Sequence, residues 1–102
     1  MKKILITGGD GQLSFDLKNE NNSKNFDLYF FNKNELDIRG IGKIKEIFSL
    51  INPDLIINTA AYTAVDLAEG NKIETYEINA NGPKNIAIVC NQLEIPMIHI
   101  ST

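Results

Sequence analysis

Short apolar runs alternate along this chain with stretches in which apolar residues recur at helical spacing. The first run, at positions 4–7, is rich in β-branched residues and stops at a cluster of glycines. Further short apolar runs lie at positions 28–31, which is largely aromatic, and at 55–57 and 96–100. Runs of this length, bounded by polar or turn-forming residues, predict buried strands.

The segments between these runs predict helices. Leu13 and Leu17 lie one turn apart after the glycines, and residues 41–51 carry apolar side chains at helical spacing. Asn52 should end this second helix, because the residue before a proline avoids the helical region. A longer pattern covers residues 72–93, and Pro83 within it predicts a kink or break near Asn79.

Strands that alternate with helices predict one α/β domain over residues 1–102, with a doubly wound parallel sheet covered on both faces. We expect the strand order 3-2-1-4. In such sheets a ligand lies beyond the carboxyl ends of the strands, where the strand order reverses. The order 3-2-1-4 would place the glycine turn and Thr102 beside one crevice.

Composition and charge limit the classes of protein to which this chain can belong. The chain is 43% hydrophobic and 23% charged, which is typical of a globular domain. Its net charge of −3, without a basic run, argues against a nucleic-acid partner. No apolar stretch approaches the ~20 residues of a membrane span, and we expect a cytoplasmic protein without a membrane partner. Cys90 is the only cysteine, so we expect a packed thiol and no metal site.

The glycine cluster is the first candidate for chemistry. A strand, a glycine turn and a helix together direct backbone N–H groups towards an anion such as a pyrophosphate. Gly8 can turn with positive φ, and Gly11 allows close approach of the backbone. This pattern predicts dinucleotide binding, although many strand-to-helix turns need glycine for the turn alone.

Asn32 and Lys33 follow the second strand, where an acidic residue commonly binds the ribose hydroxyls of NAD. A lysine in place of a carboxylate leaves room for the 2′-phosphate of NADP. A solvated turn without a ligand is an equally good interpretation of these residues.

These motifs belong to a longer pattern that covers essentially the whole chain. Its segments are ILITGxxGQL at 4–13, ELDI at 35–38, PDxIINxAAYTAVDxAE at 53–69, NAxGPxNIA at 79–87 and HIST at 99–102. In order and spacing, the pattern resembles the dTDP-4-dehydrorhamnose reductase family of extended short-chain dehydrogenases/reductases. The resemblance implies an NAD(P)-binding Rossmann-like fold and the cofactor-binding part of an enzyme that reduces dTDP-4-dehydro-6-deoxy-L-mannose to dTDP-L-rhamnose. NADPH or NADH would be the cofactor, and a nucleotide-linked deoxysugar the substrate.

The resemblance also implies roles for single residues. The pyrophosphate would be wrapped by Gly8, Gly11, Gln12 and Leu13. Asp37 and Ile38 would line the adenine, with the Asp37 carboxylate accepting from the exocyclic amine; as an alternative, Asp37 caps the following helix. The ribose and nicotinamide would lie along Ala60, Ala61 and Tyr62, which otherwise serve tight packing. Thr102 would be catalytic and donate its hydroxyl to the substrate carbonyl, whereas His99 would support the sheet.

The chain departs from the family pattern in two respects. Ser14 replaces a glycine that lets the helix pack closely on the strand. The family's Tyr-x-x-x-Lys pair lies downstream of Thr102. We expect that no tyrosine of this chain has a lysine four residues later, and that the chain alone has no turnover. We also expect the fourth strand to be an unpaired edge that promotes self-association. Two alternatives stay open: another nucleotide-sugar epimerase or dehydratase of the extended group, and a non-catalytic nucleotide-binding or regulatory module.

Overall fold

The computed structural model describes residues 1–8, 26–59 and 81–100. The elements in this part of the chain are β1 (Lys2–Thr7), β2 (Phe26–Phe31), α1 (Ile41–Ile51), β3 (Leu55–Asn58), α2 (Gly82–Leu93) and β4 (Met97–His99). The four strands form one parallel sheet, which confirms the predicted α/β class. The helix predicted at 41–51 is confirmed. The helix predicted around Leu13 and the kink predicted near Asn79 lie outside the described residues.

The strand order is β2-β1-β3-β4, so the predicted order 3-2-1-4 is wrong. The third strand pairs with β1 rather than with β2, and Thr7 lies opposite Asn58. The physical reason is burial. The third strand is short and apolar, and Ile56 is fully buried within it, so it needs a neighbour on each side. The second strand starts with the exposed residues Phe26 and Asp27, so it can lie at the edge of the sheet.

The core lies between one face of the sheet and the two helices. Leu5 and Ile56 point from the sheet into this core. The helices and the segments beside them complete it with Leu36, Ile38, Ile44, Ile47, Phe48, Ile86, Val89, Cys90 and Ile95. Ile6 is also fully buried, although successive residues of a strand point to opposite faces. Both faces of β1 are therefore shielded from solvent, as the near-continuous apolar run predicted.

The first helix ends where the sequence predicted. Asn52 adopts the left-handed conformation, with φ 53° and ψ 59°, and its N–H donates to the carbonyl of Phe48 at 2.8 Å. This conformation satisfies a carbonyl of the last turn while Pro53 prevents continuation. The chain then enters β3 at Leu55, so the end of α1 lies close to the start of β3.

The fourth strand lies at one edge of the described sheet, as expected. Its Ile98 side chain is 48% exposed, and Phe26 on the opposite edge strand is 41% exposed. The self-association expected from such an edge stays a prediction. Neither helix in the described part of the chain is long and apolar enough to cross a membrane.

Two helical glycines differ in the space around them, and alanine should therefore have opposite effects at the two positions. A Cβ atom on Gly82 would lie 2.3 Å from Cδ1 and 2.6 Å from Cγ1 of Ile38, whereas a Cβ on Gly42 would meet nothing within 4 Å. We expect Gly82→Ala to lower the free energy of unfolding by about 1–3 kcal/mol through overpacking. Gly42→Ala should raise it by about 0.5–1 kcal/mol through helix propensity. Urea denaturation of both variants measures this, and equal shifts would contradict the packing argument.

The thiol of Cys90 is packed as predicted, and its burial raises its pKa to about 11 from 9.0. Between these values the unfolded chain releases the thiol proton while the folded chain keeps it. The free energy of unfolding should therefore fall as the pH rises through this window. Denaturation at several pH values, with Cys90→Ala as the reference, isolates the effect. Identical pH dependence of the two proteins would show that the thiol makes no contribution.

Candidate functional site

The carboxyl ends of the four strands line up along one edge of the sheet. Thr7 is paired in register with Phe31 of β2 and with Asn58 of β3, and Asn58 is paired with His99 of β4. The chain leaves β1 towards β2 on one side and later returns to β3 on the other. The strand order therefore reverses between β1 and β3, which is where ligands bind in open α/β sheets.

Gly8 follows β1 at this reversal and has φ 74°, a conformation that L side chains rarely adopt. The positive φ predicted for this residue is therefore confirmed. The carbonyl oxygens of Thr7 and Gly8 accept from the hydroxyl of Thr59, at 2.5 Å and 3.5 Å. The start of the glycine turn is thus attached to the end of β3, directly beside the reversal.

A chain of side-chain hydrogen bonds crosses three strands below this point. The hydroxyl of Thr7 donates to Oδ1 of Asn58, and Nδ2 of Asn58 lies 2.9 Å from Nδ1 of His99. Thr7 and Asn58 are buried, whereas His99 is exposed. With the Asn58 amide as donor, Nδ1 of His99 is the acceptor and its proton lies on Nε2. The sequence predicted that His99 points into the packing of the sheet, but the residue is exposed, and this contact attaches it to Asn58.

The Thr7–Asn58 pair was not predicted from the sequence, although a signal was present. Asn58 ends an otherwise apolar strand, and a buried amide must find hydrogen-bond partners. Thr7 is the polar residue that ends the strand paired with it. Their contact holds the ends of β1 and β3 in register at the candidate site.

Asp37 is paired with Arg39. The guanidinium of Arg39 donates to both carboxylate oxygens, with Nη2 at 2.5 Å and Nε at 2.9 Å, and its backbone N–H donates at 3.0 Å. The side-chain bond to Arg39 is the main cause that lowers the pKa of Asp37 from its ordinary value. The first residue before α1 is Gly40, without a side-chain cap, so the alternative role of Asp37 as a helix cap is wrong. Arg39 competes successfully for the carboxylate.

Ile38 lies in a turn, and its side chain is 3% exposed. The side chain packs into the core, so its backbone is the part that can face a ligand. The carbonyls of Ile38 and Arg39 both accept from Nδ2 of Asn85, at 3.1 Å and 3.2 Å. The segment that carries Asp37 is therefore attached to α2.

Asn32 closes a tight turn after β2. Its Oδ1 accepts from the backbone N–H groups of Asn34 and Glu35, both at 2.9 Å, and its own N–H donates to Oε1 of Glu35 at 3.0 Å. This reciprocal pair has the hydrogen bonds of a capping box, here in a turn rather than at the start of a helix. The Oδ1 atom is occupied in the turn, whereas the side-chain NH₂ takes no part in these bonds. Lys33 is exposed within the turn.

The expectation that the chain lacks a Tyr-x-x-x-Lys spacing is wrong, because Tyr29 and Lys33 have it. The structure shows that this pair is not the catalytic arrangement. The two residues belong to different elements, so no helix holds them on one face one turn apart. Tyr29 lies in β2 and packs against the core, whereas Lys33 lies exposed in the following turn.

Several candidate residues lie outside the described part of the chain, and their roles stay predictions. They are Gly11, Gln12, Leu13, Ser14, Ala60, Ala61, Tyr62 and Thr102. Among the described candidates, Gly8 and Asn32 come directly after neighbouring strand ends that are paired in register. The structure thus brings the start of the glycine turn to the same edge as the Asn32–Lys33 turn.

Comparisons with known proteins agree with this geometry. A dTDP-4-dehydrorhamnose reductase from Mycobacterium tuberculosis is 34% identical over 101 residues, which are 99% of this chain and 33% of that protein. A crystal structure of dTDP-4-dehydrorhamnose reductase from Bacillus anthracis in complex with NADP is 38% identical. It superposes with a TM-score of 0.88 over 99% of this chain and 36% of that one. A Thermus thermophilus UDP-glucose 4-epimerase, at 17% identity and a TM-score of 0.78, shares the fold.

The chain spans about a third of the length of these two reductases. The residues of this chain that align with the two reductases include the described strands and the motifs quoted above. The profile of the RmlD substrate-binding domain family matches residues 1–102. The fold, the strand-end geometry and this match over the whole chain agree, and the chain belongs to the RmlD substrate-binding domain family.

Proposed function

We propose that this chain is the cofactor-binding part of an NAD(P)H-dependent reductase that converts dTDP-4-dehydro-6-deoxy-L-mannose to dTDP-L-rhamnose. The observation that carries the proposal is Gly8 with φ 74° at the strand-order reversal between β1 and β3. This is where a dinucleotide binds in doubly wound sheets. The family match over residues 1–102 and the NADP complex of the similar Bacillus anthracis reductase support it.

The chain's residues fit a dinucleotide along this edge. Gly8, Gly11, Gln12 and Leu13 would wrap the pyrophosphate, since a glycine turn offers backbone N–H groups and close approach. The Asp37 carboxylate would accept from the adenine amine in competition with the N–H groups of Arg39 that donate to it. The ribose and nicotinamide would lie along Ala60, Ala61 and Tyr62.

The bound dinucleotide would supply a hydride to the sugar carbonyl. Within this chain, Thr102 would donate its hydroxyl to the carbonyl oxygen of the nucleotide-linked deoxysugar and orient it. Two residues separate Thr102 from His99, the last residue of β4. The catalytic hydroxyl would therefore follow the strand that is second from β1, about 10 Å across the sheet at ~4.8 Å per strand.

Isothermal titration of NADPH and NADH into the chain tests the proposal. We expect the parent to bind and Gly11→Val to lose most of the affinity, because a branched side chain prevents close approach of the pyrophosphate. Gly42→Ala, on an open helix face, is the matched control and should bind like the parent. A parent that binds neither nucleotide, or a Gly11→Val variant with unchanged affinity, would refute the assignment.

Lys33 is proposed to select NADP over NAD by contact with the 2′-phosphate. Lys33→Glu should weaken NADPH binding roughly tenfold or more and leave NADH binding nearly unchanged, since a charge-assisted hydrogen bond contributes about 1.5–3 kcal/mol. Lys45→Glu makes the same charge change on the exposed face of α1 and serves as the control. Equal loss for both nucleotides, or equal loss in both variants, would assign the effect to net charge instead.

A further inference from the structure

The turn from Asp37 to Gly40 is held from outside by the first turn of α2. The N–H of Gly40 donates to the carbonyl of Asp37 at 3.1 Å, so Ile38 and Arg39 are the central residues of a β-turn. The carbonyls of two central residues have no partner within such a turn. Nδ2 of Asn85 donates to both, at 3.1 Å and 3.2 Å. One side chain therefore satisfies both carbonyls of the turn.

A second contact between α2 and this turn is steric. A Cβ on Gly82 would lie 2.3 Å from Cδ1 of Ile38, which is too close for any side chain at this position. Ile38 is β-branched and 3% exposed, so it has few other rotamers available. Gly82 thus allows the close approach that brings Asn85, one helical turn later, within hydrogen-bonding distance of the carbonyls.

These contacts join segments that are 46 and 47 positions apart in the sequence. The turn contains no strand pairing. It is restrained locally by the pair of Asp37 with Arg39 and by the backbone hydrogen bonds of Gly40, and from outside by α2. The position of the turn relative to the rest of the fold therefore depends on α2. When the residues of a site are already ordered, less conformational entropy is lost on binding, and the ligand binds more tightly.

We propose that Asn85 and Gly82 are positioning residues that hold the turn from Asp37 to Gly40 in the shape that receives the adenine of the dinucleotide. This inference rests on the proposed function. It assigns part of the adenine selectivity to residues of α2 that hold the turn. Loss of the Asn85 contacts should therefore reduce discrimination at the adenine amine, in addition to any loss of stability.

The test compares NADP⁺ with its etheno-adenine derivative, in which the exocyclic amine is blocked. The parent should prefer NADP⁺ by roughly tenfold, the effect of one hydrogen bond of about 1.4 kcal/mol. Asn85→Asp keeps the size of the side chain but directs an oxygen at two carbonyl oxygens. We expect Asn85→Asp to bind NADP⁺ and the etheno derivative with nearly equal affinity. Gln92→Ala, at an exposed position of the same helix, should keep the parental ratio of the two affinities.

Asn85→Ala is the second variant, because it removes the donor without adding repulsion and should also lower the ratio. Circular dichroism at the temperature of the titration confirms that each variant is folded. A parental ratio in both folded Asn85 variants would overturn the inference, as would a parent that binds the two nucleotides equally. A parent that binds neither nucleotide would instead overturn the proposed function, and the inference with it.

Discussion

Replacement of Phe48 by alanine is expected to lower the free energy of unfolding by about 3–5 kcal/mol. Phe48 is fully buried in the core between α1 and the sheet, and its truncation leaves a cavity that neighbours fill only in part. Small domains are stable by only about 5–15 kcal/mol, so this change removes a large share of the total. The melting temperature should fall by roughly 4–8 °C for each kcal/mol.

Leu50→Ala is the matched control for this prediction. Leu50 lies on the same helix, two residues later, but its side chain is 83% exposed. Its truncation should change the free energy of unfolding by no more than about 0.5 kcal/mol. Urea denaturation with an unchanged m-value measures both variants. A similar loss in Phe48→Ala and Leu50→Ala would show that the core does not lie where the structure places it.

Replacement of Asn58 by leucine is expected to cost about 2–4 kcal/mol, although leucine has a similar shape. The change leaves the buried hydroxyl of Thr7 without its acceptor, at ~1–3 kcal/mol. It also removes the hydrogen bond between Asn58 and His99, at about 1 kcal/mol. Because this pair lies directly below Gly8, the affinity for NADPH should fall together with stability. Chemical denaturation and nucleotide titration measure the two effects.

A double-mutant cycle separates the unsatisfied hydroxyl from a simple change of packing. Thr7→Val removes the hydroxyl and conserves most of the volume of the side chain. In the Asn58→Leu background it should restore most of the lost stability, because replacement of both partners by apolar groups is nearly neutral. The interaction free energy from the cycle should be about 1–3 kcal/mol. Additive losses would refute the account of a buried hydrogen bond.

The helices and strands were predictable from the sequence where local rules decide them. The apolar spacing of α1 and the proline after Asn52 are properties of neighbouring residues, and the helix bounds agree with them. The role of Gly8 was also local, because a sharp turn after a buried strand requires positive φ. The competition for the Asp37 carboxylate could not be decided from the sequence. A helix cap and an Arg39 partner are both within reach in the sequence, and the folded turn selects Arg39.

The sequence by itself determined the α/β class, the four short strands, the place of the glycine turn and the family. Local propensity and motif spacing suffice for each of these. Only the tertiary structure decided that β3 lies beside β1 and that Thr7 donates to Asn58. It also decided that Asn85 holds the turn after Asp37. These contacts join residues about 50 positions apart, and their partners are chosen by burial and hydrogen-bond satisfaction in the assembled fold rather than by any local pattern.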